Sequence, residues 1–182
     1  MKWLRKSPGG GVRLFTSGYD EVQILIHGRA GQGVVLLGYL LGKIASECGF
    51  NCLQTSSYGA EARAGSSSSE VVISRSEIEF PGVLEADVLV LLSEGFESLL
   101  NKCKRDCLII KTEGVRSPPI GNTIEIPALK ISKEIGSPRD VNLVILGFLV
   151  KKLGLDKGVS LKILDEMELN KRAFESGYSL LD

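Results

Sequence analysis

Residues 22–49 constrain the fold more tightly than any other stretch. Val22 to His27 (VQILIH) is a short apolar run that ends at Gly28. From Gly33 to Gly49 apolar residues recur at helical spacing, among them Val34, Leu37, Leu41, Ile44 and Ala45. The predicted order is strand, glycine turn, helix. The turn is His27-Gly28-Arg29-Ala30-Gly31-Gln32-Gly33. Glycines allow positive φ and close backbone approach, and free N–H groups at a helix start favour an anionic group. A bound phosphate or carboxylate fits such a turn; so does a tight turn that only packs helix on sheet. Two nucleotide signatures fail here. GxGxxG is broken at Ala30 and no acidic residue ends the second strand near Leu53 to Thr55, and no GK[ST] follows to make a P-loop.

Further along, Asn51 to Ser57 is expected to form a second strand. Glu70 to Ser74 (EVVIS) with Glu77 to Phe80 looks like a short hairpin closed by Arg75 and Ser76 and punctuated by Pro81 and Gly82. The serine run Ser66 to Ser69 reads as a solvated turn entering that strand. Asp87 to Leu92 (DVLVLL) is almost continuous in β-branched and leucine residues, the pattern of a strand covered on both faces in a parallel sheet. Ser93 and Glu94 are placed to cap a helix running to about Lys104, and Cys107 to Lys111 and Ile120 to Ile126 follow as strands. From Ala128 helix signals dominate: a short helix to about Gly136, then a longer one capped by Asp140, running through Leu153 and stopped by Gly154. The alternation predicts an α/β fold, a three-layer α/β/α sandwich on a mostly parallel sheet with the hairpin as an antiparallel addition. The expected organisation is a flexible N-terminal arm, residues 1–20, and a single α/β domain, residues 21–182.

A chain of 182 residues that is 43% hydrophobic suits one core. Lysine plus arginine equal aspartate plus glutamate at 22 each, leaving no net field to attract nucleic acid or an anionic membrane. No apolar run approaches the roughly 18 residues of a membrane span. Lys2, Arg5 and Lys6 are followed by Gly9 to Gly11 instead of an apolar signal core, so a cytoplasmic location is expected. The four cysteines fall as two CxxxC pairs, Cys48/Cys52 and Cys103/Cys107. In a reducing compartment these read as buried core thiols in preference to iron–sulfur or zinc ligands, whose pairs usually come as CxxC. The lone His27 has no evident nucleophile or carboxylate partner and reads as a turn-stabilising residue, while Trp3, Tyr39 and Phe148 suit packing or interface roles.

A second loop, Ser57-Tyr58-Gly59-Ala60-Glu61-Ala62-Arg63-Ala64-Gly65, follows the second strand. A parallel sheet places it on the same C-terminal edge as the glycine turn, the edge where open α/β sheets bind ligands. Glu61 and Arg63 can pair with each other, anchor a partner chain, or present Arg63 to a phosphate or carboxylate. Taken together, HGRAGQGV, SYGAEARAG with EVVIS behind it, the DVLVLLS strand and the late NLVILGFLVKKLGL helix make residues 21–155 resemble the gamma subunit or domain of 2-oxoacid:ferredoxin oxidoreductases. HGRAGQG is similar to the pyruvate-type turn; SYGAEARAG with SSEVVIS is similar to the 2-oxoglutarate-type chain, and the longer match favours 2-oxoglutarate. Ala30 and Ala64 stand where that family has glycine and Ala60 where it often has proline, and an alanine forced to positive φ at Ala30 costs about 1 kcal/mol.

The resemblance implies a fold like domain III of pyruvate:ferredoxin oxidoreductase. It also implies CoA-dependent oxidative decarboxylation of a 2-oxoacid with electrons passed to ferredoxin, carried out by a heteromeric complex. Thiamine diphosphate and the iron–sulfur clusters then belong to alpha, beta and delta partner subunits, none bound by this chain alone, with coenzyme A at an interface and the isolated chain inactive. Residues expected to line that interface are Gly28, Arg29, Gly31, Gln32, Gly33, Tyr58, Glu61 and Arg63. Homodimerisation, a freestanding nucleotide-binding module and a non-catalytic assembly protein stay open as alternatives.

Overall fold

The computed structural model describes residues 20–57 and 65–181. Strand β1, Glu21–Arg29, is buried continuously from Ile24 to Gly28, as a strand flanked on both sides and covered on both faces must be. The glycine turn leads into helix α1, Val34–Glu47, which turns Leu37, Leu41, Ile44 and Ala45 inward as its spacing predicted. Strands β2, Asn51–Ser57, β3, Ser66–Ser74, and β4, Ala86–Leu91, follow. A 3-10 helix, Glu97–Lys102, then leads to β5, Cys103–Thr112, and β6, Asn122–Ile126. Helices α2, Ala128–Glu134, α3, Val141–Leu153, α4, Lys157–Glu166, and α5, Lys171–Tyr178, complete the chain.

The strands form one sheet in the order β2-β3-β1-β4-β5-β6. β1, β4, β5 and β6 pair in parallel, and β3 runs antiparallel to both β1 and β2. Alternate residues of the central strands face opposite ways. Ile24, Ile26, Val88, Val90 and Ile110 meet a cluster to which all five α-helices contribute. Leu25, Leu89, Leu91 and Ile109 face a smaller cluster with Phe96 and Val115, against which Leu99 and Leu100 of the 3-10 helix pack. The α/β architecture is as expected, with the layer on that second face made of a 3-10 helix and loops.

Three local expectations are corrected. EVVIS does not turn back on Glu77 to Phe80. It is the end of β3, whose two edges are taken by β1 and β2, and Glu77 to Phe80 form no strand. The serine run is strand, not solvated turn: Ser67 and Ser69 are buried. Ser69 Oγ donates to the Thr55 carbonyl at 3.2 Å and accepts Gln54 Nε2 at 2.9 Å, so its polarity is satisfied inside the sheet. The helix expected from Ser93 to Lys104 shrinks to the 3-10 turn because β5 begins at Cys103, ahead of the anticipated Cys107. Cys103 and Cys107 therefore share one strand; of the four thiols only Cys107 is buried, the others being half-buried.

Helix α3 is buried from Asn142 through Val150 and forms the middle of the helical layer. Asp140 occupies its N-cap position without a capping bond; its carboxylate instead accepts Asn170 Nδ2 at 2.7 Å, and Asn170 Oδ1 in turn caps α5. Gly154 ends α3 in the left-handed conformation, as its position in the sequence signalled.

Candidate functional site

The glycine turn is a packed joint with one open position. A Cβ at Gly28 would lie 2.7 Å from Val34 Cγ2 and 2.8 Å from Gln32 Oε1, so side-chain crowding excludes anything larger. Gln32 folds back across the turn. Its Oε1 accepts the Arg29 N–H at 2.6 Å and its Nε2 donates to the Leu92 carbonyl at 3.1 Å, tying the end of β1 to the end of β4. Gly33 takes φ 70° as the N-cap of α1, and its carbonyl accepts Leu37 N–H at 2.8 Å and Asn142 Nδ2 of α3 at 3.4 Å. Gly31 differs from these: with φ 86° it is exposed, and a Cβ there would meet nothing within 4 Å. Its backbone, beside the exposed Arg29 and Ala30, is free to be approached. Among the described residues Glu168 is the one non-glycine with positive φ, so Ala30 carries no left-handed strain and the expected cost does not arise.

The second loop meets the first. Register puts Arg29 opposite Ser66 and His27 opposite Ser68, which also faces Ser57 across β2. The Ala30 N–H donates to the Gly65 carbonyl at 2.6 Å. Both ends of the connection between β2 and β3 thus sit on the edge that carries the glycine turn. Tyr58, Glu61 and Arg63 lie outside the described residues.

A third component had not been singled out in the sequence. Chain connections leave β1 toward β2 and β3 on one side, while β4 lies on the other, and at such a switch point the strand ends open a crevice. A cleft of about 270 Å³ lies there, bounded by Arg29, Gln32, Ser93, Glu94, Glu113 and Leu129 among others. Neighbouring strands β4 and β5 close on the same pattern, Ser93-Glu94-Gly95 and Thr112-Glu113-Gly114, and that repeat was the available signal. Both carboxylates are engaged. Glu94 accepts the Arg116 backbone N–H, with the guanidinium Nε at 3.9 Å. Glu113 accepts the Leu129 and Lys130 N–H groups at 3.2 and 2.6 Å, closing the first turn of α2. Buried His27 holds Nε2 3.2 Å from the Glu94 carbonyl oxygen.

These groups brace backbone; among the described residues no nucleophile is set against a base in the cleft. Nor do three His, Cys, Asp or Glu side chains come together there to hold a metal ion. No described helix is long and apolar enough to cross a membrane. The thiols split by environment. Burial, with Cys48 nearby, pushes Cys52 up to about 11. The interaction between the neighbouring Cys103 and Cys107 thiols lowers Cys103 and raises Cys107.

Among the described residues this crevice of a mixed α/β sheet presents backbone and the Arg29 side chain, while Glu94 and Glu113 are engaged by backbone N–H groups. Residues 23–180 match the family model described as pyruvate ferredoxin/flavodoxin oxidoreductase, and the chain belongs to that family. It is 36% identical over 173 residues to the 2-oxoglutarate synthase subunit KorC of Methanocaldococcus jannaschii, covering 87% of this chain and 92% of the relative. It is 34% identical to the ketoisovalerate oxidoreductase subunit VorA of Methanothermobacter thermautotrophicus, over 75% of this chain but 29% of that one. Among solved structures, the keto/oxoacid ferredoxin oxidoreductase gamma subunit of Geobacter sulfurreducens superposes with a TM-score of 0.76 at 26% identity, covering 88% of this chain and 96% of that one. The 2-oxoglutarate:ferredoxin oxidoreductase of Magnetococcus marinus shares the fold with a TM-score of 0.77 at 20% identity, covering 90% of this chain and 31% of that one.

Proposed function

We propose that this chain is the gamma subunit of a cytoplasmic 2-oxoglutarate:ferredoxin oxidoreductase, with residues 21–182 as its one domain. The reaction is 2-oxoglutarate, coenzyme A and two oxidised ferredoxins giving succinyl-CoA, carbon dioxide, a proton and two reduced ferredoxins. What carries the reading is the near full-length correspondence to subunits named for 2-oxoglutarate, set against the partial coverage of the ketoisovalerate relative. Alpha, beta and delta partners hold thiamine diphosphate and the iron–sulfur clusters, which supply decarboxylation and electron transfer. This chain contributes an edge: the open backbone at Gly31, the Arg29 guanidinium and the loop bearing Tyr58, Glu61 and Arg63. In this reading Gly28, Gln32 and Gly33 shape the turn and leave contact with an anionic coenzyme A group to Gly31, Arg29 and Arg63.

The test is anaerobic co-purification of the tagged protein from its source, mass spectrometry of the companions, and dye reduction with several 2-oxoacids. Thiamine- and cluster-bearing partners with 2-oxoglutarate turnover are expected. A lone chain, or turnover of pyruvate or 2-oxoisovalerate alone, overturns the assignment. In the active complex, Arg63→Ala raises the coenzyme A KM by roughly 10–100-fold, the worth of one charge-assisted hydrogen bond. An unchanged KM in an intact complex removes Arg63 from the site.

A further inference from the structure

The edge of the sheet opposite the glycine turn carries a second cleft of about 270 Å³. Its lining includes Glu21, Glu77 and Glu79 and no cation. Glu21 accepts Gln23 Nε2 at 2.8 Å, while Glu77 and Glu79 make no ion pair with any described residue. Two large apolar side chains belong to the same cleft, Phe80 at 49% and Leu84 at 55% exposure. Their loop is held firmly. Gln23 Oε1 accepts the N–H of Leu84 at 2.7 Å and of Glu85 at 3.1 Å, Glu70 accepts that of Val83 at 2.9 Å, and Val83 is buried. A rigid acidic cleft with exposed aromatic and aliphatic groups fits a basic segment that carries apolar side chains of its own.

The chain contains one. Residues 1–19, outside the described residues, hold Lys2, Arg5, Lys6 and Arg13 and no carboxylate. The remaining residues keep 18 of the 22 cations against all 22 carboxylates, so the neutral total hides two opposed regions. Trp3, the one tryptophan of the chain, and Leu4 lie among the first cations in Lys2-Trp3-Leu4-Arg5-Lys6. This block joins the body at Glu21, itself a wall of the cleft. Lys6 stands 15 positions before Glu21, a reach of up to roughly 50 Å extended, so the span is no obstacle. Each exposed ion pair is weak, about 0–1 kcal/mol, but a short tether supplies a millimolar effective concentration, enough to populate a weak site. The family match begins at Gln23, leaving this block outside it.

We propose that the Lys2–Lys6 block docks in cis on the Glu21, Glu77 and Glu79 cleft, its Trp3 and Leu4 covering Phe80 and Leu84. Trp3 reports the event in the full-length chain. Acrylamide quenching of its fluorescence is expected to be at least two-fold weaker in the wild type than in Glu77→Lys/Glu79→Lys, independent of protein concentration. Protection returns when Lys2→Glu/Arg5→Glu/Lys6→Glu is combined with that pair. Phe80→Ser/Leu84→Ser also exposes Trp3, and far-ultraviolet dichroism checks that each variant is folded. Equal quenching in wild type and variants overturns the proposal. So does protection that grows with concentration in a species of twice the mass, which assigns the cleft to the arm of a second copy.

Discussion

Helices α3 and α5 cross glycine on glycine, and the cost of disturbing that crossing follows from the geometry. A Cβ at Gly177 would lie 1.8 Å from the Val144 carbonyl oxygen, and one at Gly147 1.9 Å from the Phe174 carbonyl oxygen. Ordinary carbon–oxygen contacts in proteins begin at about 3.3 Å. Gly177→Ala therefore forces the helices apart by roughly 1.5 Å, since the obstacle is backbone and has no rotamer to change. A gap of 0.5–1 Å already forfeits about a quarter to a half of a dispersion contact, and the fully buried Ala173 and Phe174 lie beside it. Overpacking of this kind costs about 1–3 kcal/mol, the lost contacts add to it, and alanine returns about 1 kcal/mol of helix propensity. The expected net loss is about 2–4 kcal/mol, or roughly 5–15 °C in Tm. Urea and thermal unfolding of the isolated chain measure it. Gly42→Ala in α1 is the control, because its Cβ would meet nothing closer than Gln54 Cβ at 3.9 Å, and it is expected to be neutral or stabilising by up to about 1 kcal/mol. Gly177→Ala within about 0.5 kcal/mol of the wild type, at unchanged m, refutes the reasoning.

Three further outcomes follow from side-chain bonding and burial. Gln32→Ala strands the Arg29 N–H and the Leu92 carbonyl and is expected to cost about 1–3 kcal/mol, with faster amide exchange at Arg29; exchange unchanged there means the glutamine does not hold the turn. Alkylation with iodoacetamide near neutral pH should label Cys103 before Cys52 or Cys107, because only Cys103 is lowered; mass mapping that finds Cys52 first contradicts the assignment. The raised Cys52 contributes stability that is whole below its ordinary value of 9.0 and is lost as pH rises through about 11, so Cys52→Ala should flatten the alkaline decline in Tm.

Much of the architecture was legible because it is written in local patterns. VQILIH followed by glycines and a helical apolar stripe specifies strand, turn and helix whatever surrounds them, and DVLVLL has too few polar residues to serve anywhere but a covered strand. Gly154 ended α3 as its place after the apolar run required. The two helices after Gly154 were harder to see. Lys157–Glu166 and Lys171–Tyr178 are short, and their burial depends on α3 lying across them.

The sequence by itself determined which segments alternate, that a glycine turn opens the first helix, and that two motif-bearing loops share a sheet edge. Only the tertiary structure decided that β3 inserts between β1 and β2, because strand pairing is chosen between segments far apart in the chain and four serines show no partner until the pairing exists. It also decided that the Gln32 amide is spent on Arg29 and Leu92, 60 residues apart from it at the farther end, and that the ends of β4 and β5 complete a cleft beside the turn. Hydrogen-bond partners and crevices belong to the spatial neighbourhood of a residue, and that neighbourhood is set by the packing of the whole sheet.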